Sequence, residues 1–170
     1  SAAILVIPDA PPWALLLLGV PALITAVYAA ALALVQRDAR RALAWLFLSQ
    51  SAGVFAGLAS GTAEGMAGGL TIWISCALAG TGLALARWAL EARRGSLARD
   101  RSHGGYDRMP FLASSFLLMG LALVGFPGFS GFWSKDAILA DALAHAILNP
   151  IHAFLPFAGF VTVFLTAFYM

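Results

Sequence analysis

The chain has 170 residues, of which 61% are hydrophobic and only 11% charged, with a formal net charge of +2. Mean hydropathy is +0.88; a soluble domain carries about 25% charged residues, so the composition excludes a water-soluble fold and implies an all-α, polytopic transmembrane helix bundle. The cations fall in two arginine clusters, which read as membrane-orientation signals and not as a nucleic-acid surface.

A helix needs about 20 apolar residues to cross a bilayer, fewer when it is broken. The chain opens Ser1-Ala2-Ala3 with no basic stretch, so no cleavable signal peptide is expected. The first span is expected over 12–35, with Pro12 at the first turn, where its missing N–H is harmless, and Pro21 inside. Arg37-Asp38-Ala39-Arg40-Arg41 closes it, and a second span is expected over 42–60. A short turn at Gly61-Thr62-Ala63-Glu64-Gly65 leads to a third span over 69–90. After a polar stretch from Glu91 to Arg108, Met109-Pro110 opens a fourth span over 110–125. A fifth, broken span over 127–146 follows, then Asn149-Pro150 and a last span over 151–170. The expectation is thus a single transmembrane domain of about six spans, the fifth discontinuous. Broken membrane helices often form binding sites in transporters.

The loop at Arg37, Arg40 and Arg41 and the loop at Arg93, Arg94, Arg99, Arg101 and Arg108 are two spans apart, so both are expected on one side. The positive-inside rule places them in the cytoplasm and the N-terminus outside, as in a bacterial inner membrane. Trp13, Trp45, Trp73 and Trp88 fall near expected span ends, where interfacial tryptophans belong.

Lys135 is the only lysine, set among apolar stretches beside the segment from Gly125 to Gly131. A charge at bilayer depth costs about 2.5–3.5 kcal/mol on insertion scales, so it marks an ion path, a proton relay or a buried pair. A buried lysine can lose its proton and arginine cannot, which makes Lys135 the candidate working residue. On the same helix Asp141 and His145 lie one turn apart and on one face, while Asp136 points elsewhere. His145 suits a relay, but lies about 15 Å along the axis from Lys135, so water or other side chains would have to intervene. Asp141 with His145 also fits a plain interfacial pair, and Lys135 with Asp136 a structural one.

Arg40 and Arg41 fit topology anchors. His103 and His152 stand alone, without metal-ligand spacing, so no metal site is expected. The single cysteine, Cys76, excludes an internal disulfide. Ser49-Gln50-Ser51 sits mid-span as interhelical hydrogen-bonding residues. Gly125, Gly128 and Gly131 do not make a phosphate loop, because no Gly-Lys-Ser/Thr follows. No catalytic residue and no cofactor motif is found.

The segment from Asp38 to Gln50, Asp38-Ala39-Arg40-Arg41-Ala42-Leu43-Ala44-Trp45-Leu46-Phe47-Leu48-Ser49-Gln50, resembles the Asp-x-Lys-Arg-x-Leu-Ala-Tyr-Ser-x-x-Ser-Gln signature of the antiporter-like subunits of respiratory complex I. Gly104-Gly105-Tyr106 through Met109-Pro110 is similar to the Gly-Gly-Leu…Met-Pro loop of that family. The run from Gly125 to Leu139, with Pro127, Gly128, Gly131 and Ser134-Lys135-Asp136, resembles Gly-x-Pro-Pro-x-Ser-Gly-Phe-x-Ser-Lys-Asp-x-Ile-Leu, and points to subunit L. The resemblance implies a proton channel ending at Lys135 on a broken helix, with other membrane subunits as partners and protons or cations as the transported species. It puts Arg40 where the family has a lysine. It also puts Gly69, Trp73 and Ala77 where the family carries a His-x-x-x-His-x-x-x-Lys relay, so the central relay is expected to be missing. Only about half of a family subunit is matched, the C-terminal-like half. Three readings follow: a membrane-arm subunit of a complex I-like assembly, a subunit of a cation/proton antiporter or inorganic-carbon uptake complex, or a non-conducting scaffold.

Overall fold

The computed structural model describes residues 11–94, 109–146, 161–163 and 165. Among these, five helices follow in chain order: α1 (Pro12–Val35), α2 (Ala39–Ala59), α3 (Ala63–Arg94), α4 (Pro110–Val124) and α5 (Ser130–Ala146). The architecture is all-helical, and α1, α2 and α3 are each long and apolar enough to cross a membrane. The span expected over 151–170 lies outside the described residues, apart from the short helical piece near 161–165.

α1 coincides with the expected 12–35 and continues through Pro21. α2 begins at Ala39, not at 42, because the Asp38 carboxylate accepts the Arg40 backbone N–H at 2.9 Å and caps the helix. Arg40 and Arg41 therefore ride on its first turn. α3 begins at Ala63, six residues before the expected start, because the Thr62 hydroxyl accepts the Gly65 N–H at 3.0 Å. α3 has 32 residues, about 48 Å at 1.5 Å per residue, against a hydrocarbon core of about 30 Å. Side-chain capping of backbone N–H groups, not hydropathy, decides where α2 and α3 begin.

In lipid there is little hydrophobic drive between helices, so close packing of small residues takes its place. α1 turns an alanine face inward: Ala22, Ala26, Ala29, Ala30 and Ala33 are buried. Ser49 on α2 donates to the Ala26 carbonyl at 2.8 Å and ties the two helices at mid-span. Between α2 and α3, Gly57 meets the backbone of Gly65 and Gly69, leaving no room for a β-carbon. The core joins four helices through Ala33, Leu43, Leu46, Ala79, Leu83 and Leu123. Trp45 packs against that core instead of standing free at an interface. Trp13 and Trp88 are exposed; Trp73 is exposed too, but lies ten residues inside α3.

α4 and α5 both pack on α3, and only lightly on each other. Met119 of α4 lies against Gly82, and Ile138 of α5 lies against Gly68 and Gly57. The two short helices thus cover successive stretches of the long one, running opposite to it. α4 has 15 residues and α5 has 17, about 22 and 25 Å, each short of the roughly 30 Å core.

Candidate functional site

The junction between α4 and α5 is built from the residues that the sequence singles out. Gly125 ends α4 in the left-handed region at φ +91, where an L side chain costs about 1–2 kcal/mol. The N–H groups of Gly125 and Phe126 both donate to the Leu121 carbonyl, at 3.1 and 3.0 Å, as in a Schellman ending. Pro127 and Gly128 then take the central positions of a turn closed by Phe129 N–H on the Phe126 carbonyl at 3.1 Å. With φ +96 at Gly128, this is the Pro-Gly arrangement of a type II turn. Phe126 and Phe129 meet edge to face across it.

A helix leaves its last carbonyls without intrahelical partners, and in lipid each must find one. Leu121 is satisfied by the turn. Lys135 satisfies two of the others: its Nζ donates to the Leu123 and Val124 carbonyls, at 2.9 Å each. Ala122 faces Gly131, where any β-carbon would overlap its carbonyl oxygen, so only glycine lets the two helix ends approach. A cation at this end also complements the partial negative charge of the α4 terminus. Ser134, fully buried, folds its hydroxyl back on the Ser130 and Gly131 carbonyls at 3.1 Å.

Lys135 has no carboxylate partner among the described residues, where the ion pairs are those of Arg40 and Arg87 with Glu91. Asp136 is exposed and turned away from it. Beside Lys135 lies a small cavity of about 10 Å³ lined by Gln50, Ser75, Cys76 and Ser134, with Ile72 and Leu123 among its apolar walls. Gln50 and Ser75 are both buried.

Asp141 is buried at the far end of α5 and accepts from the Thr62 hydroxyl at 2.8 Å. The Thr62 hydroxyl in turn sits 3.1 Å from that of Ser60, which donates to the Gly57 carbonyl. This chain of groups holds α5 to the α2–α3 turn. The backbone of His145 continues α5, and its side chain lies outside the description, as does His152. Arg40 is not brought to the site: its exposed guanidinium reaches Glu91 at 3.3 Å, and it lies ten residues before Gln50 on α2, about 15 Å along the axis. Glu91 also takes Arg87 at 2.7 Å, with both side chains mostly buried. This pair was legible as an i,i+4 opposite-charge spacing at the end of a span. The Arg40–Glu91 contact also puts the first basic loop beside the end of α3, at one end of the bundle.

On α3, the face toward Lys135 carries Gly68, Ile72, Ser75 and Cys76. Gly69 packs on α2, and Trp73 and Ala77 are exposed, so these three positions lie off the side that faces Lys135. One residue is 100° of helix. The side that faces Lys135 bears no histidine or lysine, but it does bear a hydroxyl and a thiol. Among the described residues, no group of three His, Cys, Asp or Glu is close enough to hold a metal.

The family described as NADH:quinone oxidoreductase/Mrp antiporter, transmembrane, matches residues 2–167. NADH-quinone oxidoreductase subunit 13 of Thermus thermophilus is 34% identical over 147 residues, covering 86% of this chain and 31% of the relative. NAD(P)H-quinone oxidoreductase subunit 5 of the Chaetosphaeridium globosum chloroplast is 34% identical over 165 residues, covering 94% and 24%. NAD(P)H-quinone oxidoreductase chain 5 of Picosynechococcus is 47% identical over 76 residues, covering 44% and 10%. The chain therefore spans a third or less of the length of these relatives. With residues 2–167 matched, nearly its whole length, the chain belongs to the NADH:quinone oxidoreductase/Mrp antiporter transmembrane family.

Proposed function

We propose that this chain is part of an antiporter-like membrane-arm subunit of a complex I-type assembly, and that Lys135 exchanges protons at its helix break. The observation that carries this reading is the placing of Lys135 Nζ on two helix-terminal carbonyls, without a carboxylate partner among the described residues and beside a small cavity that Gln50 and Ser75 help to line. An ammonium has three N–H groups, and two are taken by Leu123 and Val124. Release of the third leaves a neutral amine that still has two N–H groups for the same carbonyls. The structural duty of Lys135 and a proton-exchanging duty are thus compatible on one nitrogen.

In this reading α4 and α5 form one interrupted crossing, antiparallel to α3, with the break near mid-depth. That replaces the two separate crossings expected over 110–125 and 127–146. The run from Gly125 to Leu139 supports the narrower subunit L type and a place in the second half of a longer subunit. Other membrane subunits cover the exposed apolar faces not met by lipid. Arg40, Arg41 and Arg93 lie on the cytoplasmic side of a bacterial inner membrane, and the N-terminus lies outside. Asp141 serves the outer end of the path through Thr62, and Arg40 stands outside it. Electron transfer belongs to partner subunits. The reading is tested by proton translocation in proteoliposomes holding the assembled complex with Lys135→Ala. Strong loss is expected, and translocation at the unaltered rate would leave only a packing role.

A further inference from the structure

Resting on the reading of α4 and α5 as one interrupted crossing within a membrane arm, we propose that the outward side of α5 around Asp136 is a docking surface for a transmembrane helix of a neighbouring subunit that carries a lysine or arginine. Trp133, Asp136, Ala140 and Leu143 are all exposed. They follow one another at steps of three, four and three residues, which lines them up along one side of the helix. Trp133 is 66% exposed and Leu143 is 49% exposed. The opposite side, with Gly131, Ser134 and Asp141, is buried. An acidic side chain thus stands in the middle of an otherwise apolar outer stripe.

Asp141, on the buried side, reaches Thr62 at the α2–α3 turn. Asp136 comes five residues earlier, about 8 Å further into the bundle from that end. Lysine and arginine have stems long enough to carry a charge back to the interface over such a distance, and aspartate does not. Asp136 makes no hydrogen bond or ion pair among the described residues. The cation beside it in sequence, Lys135, is spent on the Leu123 and Val124 carbonyls. Acyl chains supply neither a cation nor a donor, and ionisable groups in membrane segments pair with one another or line water. The flanks decide between these two. Trp133 and Leu143 would have to be wetted in a water-filled cavity, whereas a packed helix covers them, and Ala140 lets its backbone come close. The exposed turn at Pro127 and Gly128, just before α5, adds a second reason, since irregular backbone at membrane depth needs protein or water over it. The charge that complements Asp136 is positive, so the docking helix brings a lysine or an arginine to it.

The test is an electron-microscopy map of the assembled complex, paired with subunit retention in detergent read by native mass spectrometry. The expected map has a lysine or arginine nitrogen of another subunit's membrane helix within about 4 Å of the Asp136 carboxylate. Asp136→Asn keeps the shape without the charge and is expected to lower retention of that subunit about tenfold. Asp136→Lys sets like charges together and should lower it further, and exchanging the partner's cation for aspartate in that background should restore it. Lys135 is expected to stay seated on both carbonyls in each variant. Acyl chains, water, a helix of the same subunit or one without a cation over Asp136 overturn the docking surface and leave the membrane-arm reading standing. Unchanged retention in both variants overturns it as well. A chain that purifies without other membrane subunits overturns the membrane-arm reading, and the docking surface with it.

Discussion

Lys135 Nζ donates to the Val124 carbonyl at 2.9 Å across eleven residues, so the chain's one lysine closes the helix before its own. With the equal bond to Leu123, this gives the side chain a fixed seat. The seat explains why the two flanking glycines have to be glycine, and it yields the first prediction.

Gly131→Ala places a methyl on the Ala122 carbonyl oxygen, and both partners are backbone, so neither can yield cheaply. Gly125→Ala adds a β-carbon at φ +91, about 3.1 Å from the Gly131 carbonyl oxygen and 3.2 Å from Lys135 Cδ. Gly125→Ala is expected to cost about 1–2 kcal/mol, and Gly131→Ala more. Gly128→Ala meets no neighbour and bears only the strain of its left-handed conformation. Thermal melting of the detergent-solubilised complex should rank the three with Gly131→Ala lowest, and equal melting points would contradict this.

Thr62 gives a second test. Thr62→Val keeps the shape but removes both the donor to Asp141 and the acceptor for the Gly65 N–H. A hydrogen bond to a charged group contributes about 1.5–3 kcal/mol, so a loss of that order is expected. Asp141→Asn keeps an oxygen that can accept from Thr62 and should lose less. Chemical denaturation of both variants checks the order.

The arginines on Glu91 separate exposed from sheltered charge. The Arg40 side chain is 71% exposed, and those of Arg87 and Glu91 are 12% and 15% exposed. Arg40→Ala should change stability by about 1 kcal/mol or less and leave translocation unaltered. Arg87→Ala leaves the sheltered Glu91 carboxylate with only the exposed Arg40 as a partner and should cost more than Arg40→Ala, up to about 3 kcal/mol. A translocation defect in Arg40→Ala would put that residue back on the path.

How much of this was visible beforehand depends on the kind of signal. The span 12–35 is legible because apolar length and Pro12 mark the same start. Lys135 is legible because a lone cation in an apolar run is costly wherever it points. α2 and α3 start before the apolar stretches that hydropathy outlines, because the capping side chains of Asp38 and Thr62 set the helix boundaries. The pairing of α4 and α5 along α3 depends on the turn at Gly125 to Phe129, and a glycine–proline run does not say which way the chain leaves it. Gln50, Ser75 and Cys76 escaped notice as a group for a rotational reason. They sit on two different helices among other polar residues, such as Ser49, Ser51 and Thr71, and which of them share a cavity depends on helix phase. Helix phase also puts Gly69, Trp73 and Ala77 off the face toward Lys135, which Ile72 and Cys76 occupy.

The central claim is that the nitrogen of Lys135 gives up a proton, beyond merely capping a helix. Proton translocation by the assembled complex carrying Lys135→Arg tests it most directly, because arginine keeps the charge and the donors for Leu123 and Val124 but does not deprotonate. The account predicts an assembled complex with translocation reduced about a hundredfold. Translocation at the unaltered rate would show a static cation holding two carbonyls, and would contradict it.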